Sequence, residues 1–329
     1  MNFRKTLLFL ILGLTFCMRA AGQDPEYSQF YANPLYTNPA LAGTSELSRM
    51  VVAYRNQWPR NGSTYITTSV SYDDFIDRFN TGWGIQIMND RQWNNLLNTN
   101  SASVYYSYHI GMKSGTFLAG GLQAGLVYRQ LDPKNLVFPS MIDQLSGQIS
   151  GSITGITEYS SKLYPDMGMG IIGQHGDIFG GISIHHLNRP DESLLDGDQK
   201  GRLPVKYTLH AGARVFRFHR GLYSREFMLS PNLIYRHQGV FRQLNLGLYL
   251  IEQSFILGGY YRNNLSVRPD AVIFLAGLAN PVFQLGYSFD YTLSELSNYS
   301  YGSHEISLTV YFGRLAGFAN PRRLLIPMI

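Results

Sequence analysis

Cysteine occurs once in the chain, at Cys17, within a stretch that reads as a secretory signal and is removed with it. The exported remainder can then form neither a disulfide nor a thiolate metal site, so no cross-link compensates for a thin core. Charge is scarce as well: 15% of residues are Asp, Glu, Lys or Arg, against about 25% in an average soluble domain. After the signal no apolar run approaches the roughly 20 residues that a membrane helix needs, so any crossing of a bilayer falls to strands. The G-x-S-x-G and H-E-x-x-H patterns of serine hydrolases and zinc peptidases are also missing.

The signal has three parts. Arg4 and Lys5 form its charged region, Leu7 to Phe16 its apolar core, and Ala20-Ala21-Gly22 its small-residue cleavage site, leaving Gln23 first. Phe16 stands directly before Cys17, where lipid attachment needs a small residue, so acylation is not expected. Cleavage removes Arg4, Lys5 and Arg19 and no acid, so the formal charge of +5 falls to +2. That is too little for a basic face, and no nucleic-acid partner is expected.

What the chain does have is alternation. Leu244, Leu246, Leu248 and Leu250 form a column whose intervening residues are Asn245, Gly247 and Tyr249. Ile306, Leu308, Val310 and Phe312 alternate in the same way with Glu305, Ser307, Thr309 and Tyr311. A period of two gives a strand with one apolar and one polar face. Such segments fall near 49 to 57, 63 to 72, 79 to 89, 101 to 112, 115 to 131, 163 to 175, 178 to 187, 204 to 217, 226 to 238, 241 to 252, 254 to 263, 267 to 278, 280 to 290 and 304 to 313. Most match the 9 to 11 residues of a tilted bilayer-crossing strand, and their even count lets a closed antiparallel barrel start and end on one side. With 14% aromatic residues, 33 Gly and 23 Tyr, the expected fold is an all-β outer-membrane barrel of about fourteen antiparallel strands with an extended N-terminal segment. Its domains are a signal peptide at 1 to 22, a periplasmic N-terminal segment at 23 to 48, a barrel at 49 to 313 and a periplasmic tail at 314 to 329. The tail, with Arg314, Arg322 and Arg323, is either frayed or a docking segment.

The connections carry an independent asymmetry. Lys113-Ser114, Gly176-Asp177, Gln253 and Ala279 are tiny, whereas 90 to 100, 132 to 162, 188 to 203 and 291 to 303 are long and all fall on the opposite rim. The exceptions are 73 to 78 and 218 to 225 on the short side, with brief loops at 58 to 62, 239 to 240 and 264 to 266 on the long side. Short periplasmic turns with longer outer loops are the pattern of outer-membrane barrels. The period directs Val104, Tyr106, Tyr108, Ile110, Leu118, Leu122, Leu126, Tyr128, Leu209, Phe283, Leu285 and Tyr287 toward lipid, and Ser107, His109, Gln123, Arg129, Thr208, His210, Arg214, Ser288 and Asp290 toward the lumen. Two places break the pattern: 254 to 263 is apolar on both faces, which a plug or a neighbouring subunit would explain, and Pro231 interrupts a strand, as at a bulge.

Signs of chemistry are weak. Gly168, Gly170 and Gly173 fit G-x-G-x-x-G without the strand-turn-helix setting that a phosphate-binding loop needs. His185 and His186, as neighbours on a strand, point to opposite faces and so do not share a metal ion. Asp191, Glu192, Asp196 and Asp198 lack the spacing of a calcium loop. No catalytic residue, metal site or cofactor is assigned.

Residues 23 to 43, reading QDPEYSQFYANPLYTNPALAG, do not alternate, and the pairs Asn33-Pro34 and Asn38-Pro39 predict turns. Together with Tyr54-Arg-Asn-Gln-Trp58 and Gly302-Ser-His-Glu-Ile-Ser-Leu308, this opening resembles the PorP/SprF family of type IX secretion system membrane proteins of the Bacteroidota, over essentially the whole exported chain. The resemblance implies a non-enzymatic outer-membrane barrel that assists secretion or surface anchoring of a dedicated cargo with a C-terminal sorting domain, gliding adhesins being among such cargo. It implies periplasmic type IX components as partners besides outer-membrane lipid. The residues themselves point to partner-binding candidates in the opening segment, Tyr27, Phe30, Tyr31, Pro34, Tyr36 and Pro39, placed to plug or brace the lumen, and in the long outer loop, Pro139, Met141 and Ile142. A porin-like diffusion channel is the alternative, if residues 23 to 48 leave the lumen open.

Overall fold

The computed structural model describes residues 24–45, 47–59, 65–112, 115–132, 160–194, 201–220, 225–265, 268–293 and 301–313, with the backbone alone at 112, 216–220, 225–226 and 268. The strand segments are β1 (Ser48–Gln57), β2 (Tyr65–Ile76), β3 (Thr81–Gln92), β4 (Leu97–Met112), β5 (Thr116–Leu131), β6 (Ser160–His175), β7 (Ile178–His185), β8 (Lys206–Ala213), β9 (Phe216–Arg220), β10 (Arg225–Gln238), β11 (Phe241–Glu252), β12 (Phe255–Asn264), β13 (Arg268–Ala279), β14 (Phe283–Thr292) and β15 (Ser303–Phe312). All pairings are antiparallel, β15 pairs with β1, and β10 pairs with β11, so the sheet returns on itself as a barrel. β8 and β9 pair in succession with β10 and form one interrupted course, which makes fourteen around the ring. Ser48 pairs with Phe312, so the wall begins and ends on one rim, as the even count requires.

Alternation sets what each side of this wall meets. Leu246 and Leu308 lie on the outside, 47% and 39% exposed, with Val104, Tyr106, Tyr108, Ile110, Leu118, Leu122, Leu126, Tyr128, Leu285 and Tyr287. Ser107, His109, Thr208, His210, Ser288 and Asp290 are buried inside. No described helix is long and apolar enough to cross a membrane. The apolar band is built from strands, whose backbone groups are satisfied by their neighbours around a closed ring.

Three features differ from what the sequence suggests. The expected loop 90 to 100 is mostly strand: β3 runs to Gln92, β4 starts at Leu97, and Trp93–Leu96 makes the turn. Here the outer face is polar as well. Asn89 donates to Asn98 (2.7 Å) and Asn100 (2.8 Å), and Arg91 donates to Asn89 (2.8 Å). Above the apolar band, water permits polar groups on both faces, so the alternation disappears although the strand continues. Likewise β2 runs on to Ile76 and β9 to Arg220, which shortens the two exceptional connections on the short-turn rim.

The irregularity at Pro231 lies in the neighbouring course. β10 keeps an unbroken register with β11 through Pro231 and Leu248, but on its other side pairing stops at Asn232 and resumes at Leu229, opposite the break between β8 and β9. A proline, with no N–H to give, occupies the place where no partner strand asks for one. Finally, His185 and His186 are both buried, because β7 ends at His185 and His186 adopts a left-handed φ of 58°. That turn defeats the strand rule that would have sent the two rings to opposite faces.

Candidate functional site: a plugged lumen with an outer vestibule

Residues 24–45 lie inside the ring and run along its height. Asp24 sits among Lys206, His186 and Gln238, at the strand ends of the long-loop rim, and Gly43 sits beside Asp73 near the opposite rim. Between them Asn33 precedes helix α1 (Pro34–Thr37) without a side-chain capping bond, and Asn38 opens a 3-10 turn at Pro39–Leu41 by accepting from the Ala40 N–H (2.9 Å). Proline at each first helical position loses no bond, since that N–H has no intrahelical acceptor. The two Asn-Pro pairs therefore make the turns that the sequence predicts.

Three clusters fasten this plug. Near the short-turn rim Arg49 forks onto Asp73 (2.8 and 2.7 Å) and also donates to the Leu41 carbonyl (3.2 Å), while Asp73 accepts from the Gly43 N–H (2.8 Å). Higher up, Ser28 donates from its backbone to Glu305 (2.7 Å) and from its hydroxyl to Asp290 (2.6 Å). The same hydroxyl accepts from Arg55 (2.7 Å) and Arg262 (2.8 Å), which are themselves paired with Asp290 at 2.8 and 2.9 Å. Two buried cations against two buried anions leave no net charge there, the condition under which ion pairs persist away from water.

The third cluster is at the mouth. Asp24 meets His186 at 2.8 Å and Lys206 at 3.0 Å, and His186 meets Asp166 at 2.8 Å on its other nitrogen. Burial alone would lower the His186 pKa, but the carboxylates of Asp24 and Asp166 outweigh it and hold the imidazole up at about 10. Burial alone would raise that of Asp24, but His186 and Lys206 outweigh it and hold the carboxyl well below its ordinary value.

Space for the plug comes from missing side chains. A Cβ at Gly121 would stand 2.4 Å from the Ala40 nitrogen, and one at Gly170 would stand 2.0 Å from Asn38 Oδ1. The glycines that imitate a nucleotide-binding motif thus include one that admits a plug residue.

The expected partner-binding residues of the opening segment meet the chain's own wall or one another. Phe30 packs edge-on against Tyr260 (5.2 Å between centroids), with the Arg236 guanidinium 4.8 Å from its ring. Tyr31 packs against Phe179 (5.8 Å) and His210 (6.0 Å), and Tyr27 against Tyr36 (5.3 Å). Pro34 and Pro39 are buried at the heads of their turns. The apolar inner face of β12 now has its reason, since Ile256 and Tyr260 join Phe30 in one core cluster. Pro139, Met141 and Ile142 lie outside the described residues, as do Asp196 and Asp198.

Periodicity directed Asp290 inward but did not single out the other residues that hold the plug: Asp24, Ser28, Gln29 and Asn38 on the segment, and Arg49, Arg55, Asp73, Arg262 and Glu305 on the wall. The signal was present in part, as Arg55 and Glu305 are ionisable residues in the inward register of strands whose other face is apolar.

Beside the plug a cavity of about 100 Å3 opens in the half of the lumen toward the long-loop rim, between Asp24, Pro25 and Tyr36 and the inner faces of β3 to β8. Gln86, Asp90, Gln92, Ser101, Ser103, Tyr105, Gln123, Arg129 and Tyr164 line it. Deeper in, Ser107 lies 2.9 Å from His109 Nε2, a pairing reminiscent of a nucleophile and its base, but both also bond the Ala42 carbonyl (2.7 and 3.0 Å) and are sealed beneath the plug.

Solved structures that align with the chain include a porin and an outer membrane protein. A triple mutant of Rhodopseudomonas blastica porin aligns at 7% identity with a TM-score of 0.34, covering 81% of this chain and 99% of the porin. The outer membrane protein Omp33 of Acinetobacter baumannii aligns at 6% identity with a TM-score of 0.42, over the same shares. No curated protein matches the chain. The family described as type IX secretion system membrane protein PorP/SprF matches residues 19–310. That span takes in the plug, its three fastenings and all but the end of the last strand, and the chain belongs to the PorP/SprF family of type IX secretion system membrane proteins, as an outer-membrane β-barrel.

Proposed function

We propose that this barrel is a non-enzymatic component that assists secretion or surface anchoring of a dedicated type IX cargo bearing a C-terminal sorting domain, a gliding adhesin being one such cargo. The observation that carries this reading is the plug. Residues 24–45 are buried across the lumen and bonded to the wall around the ring, an arrangement suited to a rigid platform and poorly suited to solute diffusion. It favours an anchor over a porin-like channel. The pairing of the buried acids and bases with one another, and the sealing of Ser107 and His109, support the absence of catalysis.

In this reading the short turns face the periplasm and its type IX components, and the long-loop rim faces outward to the cargo. The opening residues Tyr27, Phe30, Tyr31, Pro34 and Pro39 act by bracing the platform, while Tyr36 reaches the vestibule. Pro139, Met141 and Ile142 supply apolar contacts from the outer loop. The test is deletion of the whole gene followed by comparison of surface proteins. Selective loss of one protein with a C-terminal sorting domain supports the reading, and an unchanged surface refutes it.

A further inference from the structure

The vestibule is the part of the lumen that the plug does not fill, and its chemistry is uneven. Most of its charges are balanced by neighbours: Arg129 pairs with Glu192, Lys206 with Asp24, and His186 with Asp24 and Asp166, while the carboxylate of Asp90 is held by neutral donors. Asp90 accepts from Thr67 (2.7 Å) and Gln92 (2.8 Å). What remains to face a ligand is mainly neutral: the amides and hydroxyls of Gln86, Gln92, Gln123, Thr99, Ser101 and Ser103, with the apolar side chains of Met88, Val127 and Leu203 among them. Gln86 is 5% exposed, and one end of its amide is held by the Tyr105 hydroxyl at 2.9 Å. The other end has no partner among the described residues, although a buried amide left unpaired costs about 1 to 3 kcal/mol.

Elsewhere in the lumen the same residue types bind polypeptide. Ser183 donates to the Thr37 carbonyl (2.7 Å), Ser107 to that of Ala42 (2.7 Å), and Asn38 reaches wall carbonyls at Ile171 and Ile182 (3.1 and 3.3 Å). The wall behind the vestibule also stands higher. β4, β5 and β6 have 16 residues each, whereas β7 and β8 have 8 and β14 and β15 have 10. An extended chain entering from the long-loop rim therefore has a tall polar face to lie against and the plug as its floor.

We infer that the vestibule is a receptor for an extended, uncharged polar segment of a partner polypeptide, held by its peptide groups against Gln86 and the hydroxyls of β4. The inference rests on the proposed function, in which that partner is the cargo.

The experiment uses cells carrying the full chain with the photoreactive residue p-benzoylphenylalanine in place of Met88 or Val127, which line the vestibule, or of Val104, which faces outward. The probe is the surface protein that deletion of the gene removes. The expected result is a covalent adduct to that protein from Met88 and Val127 but not from Val104. At equal barrel level Gln86→Leu lowers retained cargo about fivefold, the size of one lost hydrogen bond to a buried amide. Ser103→Trp, which fills the cavity, lowers it further, and Ile85→Trp on the outer face leaves it unchanged. Cargo that depends on the gene but forms no adduct from the vestibule, with both lumenal variants retaining it fully, overturns the inference and leaves the anchor reading standing. An adduct that resists protease and yields to glycosidase also overturns it, since the ligand is then a glycan. A surface unchanged by gene deletion overturns the anchor reading itself.

Discussion

Ser28 donates its backbone N–H to Glu305 across 2.7 Å, joining the N-terminal segment to the last strand of the barrel. Around this bond Arg55, Arg262 and Asp290 form a closed set of buried charges. The N-terminal segment is thereby part of the wall's electrostatic balance. Removing one member leaves the rest uncompensated in a place water does not reach.

Arg55→Ala is therefore expected to destabilise the barrel by about 3 to 5 kcal/mol, the cost of breaking a buried pair from one side. A lower midpoint in the heat-modifiable gel shift would show it. A midpoint equal to that of the wild type would mean that the cluster contributes nothing.

Gly121→Leu would place a Cβ 2.4 Å from the Ala40 backbone nitrogen, against an element with no flexible end to move aside. The plug should lift around residues 38–44 while the barrel persists. Faster hydrogen exchange confined to that segment, with retained heat-modifiable migration, is the expected outcome.

Leu246→Arg puts a cation on the apolar band, and near the midplane this costs about 2 to 4 kcal/mol. The same change at Asn100, in the outward polar ladder above the band, should cost little. Equal losses at both positions would contradict the placement of the bilayer edge.

Much of this architecture was legible because the barrel strands repeat one physical rule. Leu246 and Leu308 alternate with polar neighbours since one face meets lipid and the other the lumen, and the same rule places Arg214 inward. It failed at Asn89 to Asn100, where water wets both faces, and at His186, where the chain turns off the strand. The plug's path was legible only in its turns. Its fastenings join Ser28 to Glu305 and Asp24 to Lys206 across hundreds of residues, and no local period records such contacts.

The mouth cluster should respond to pH. The His186 pKa is raised to about 10 from its ordinary 6.5, so its contribution is complete below pH 6.5 and is lost as pH rises through 10. Asp24 is lowered from 3.8, so its contribution is present above that value and is lost as pH falls through the depressed one. A spin label on Pro25→Cys, in a chain that also carries Cys17→Ser, should be least mobile between about pH 4 and 6.5 and loosen toward pH 10. Asp24→Asn should remove that dependence.

Closure of the lumen by residues 24–45 underlies every role given to the plug, and planar-bilayer conductance of the purified barrel measures it directly. A closed trace for the intact chain, and steady openings once residues 24–45 are deleted, is the predicted pair of results. Steady large openings from the intact chain would contradict the account and return the protein to the class of diffusion channels.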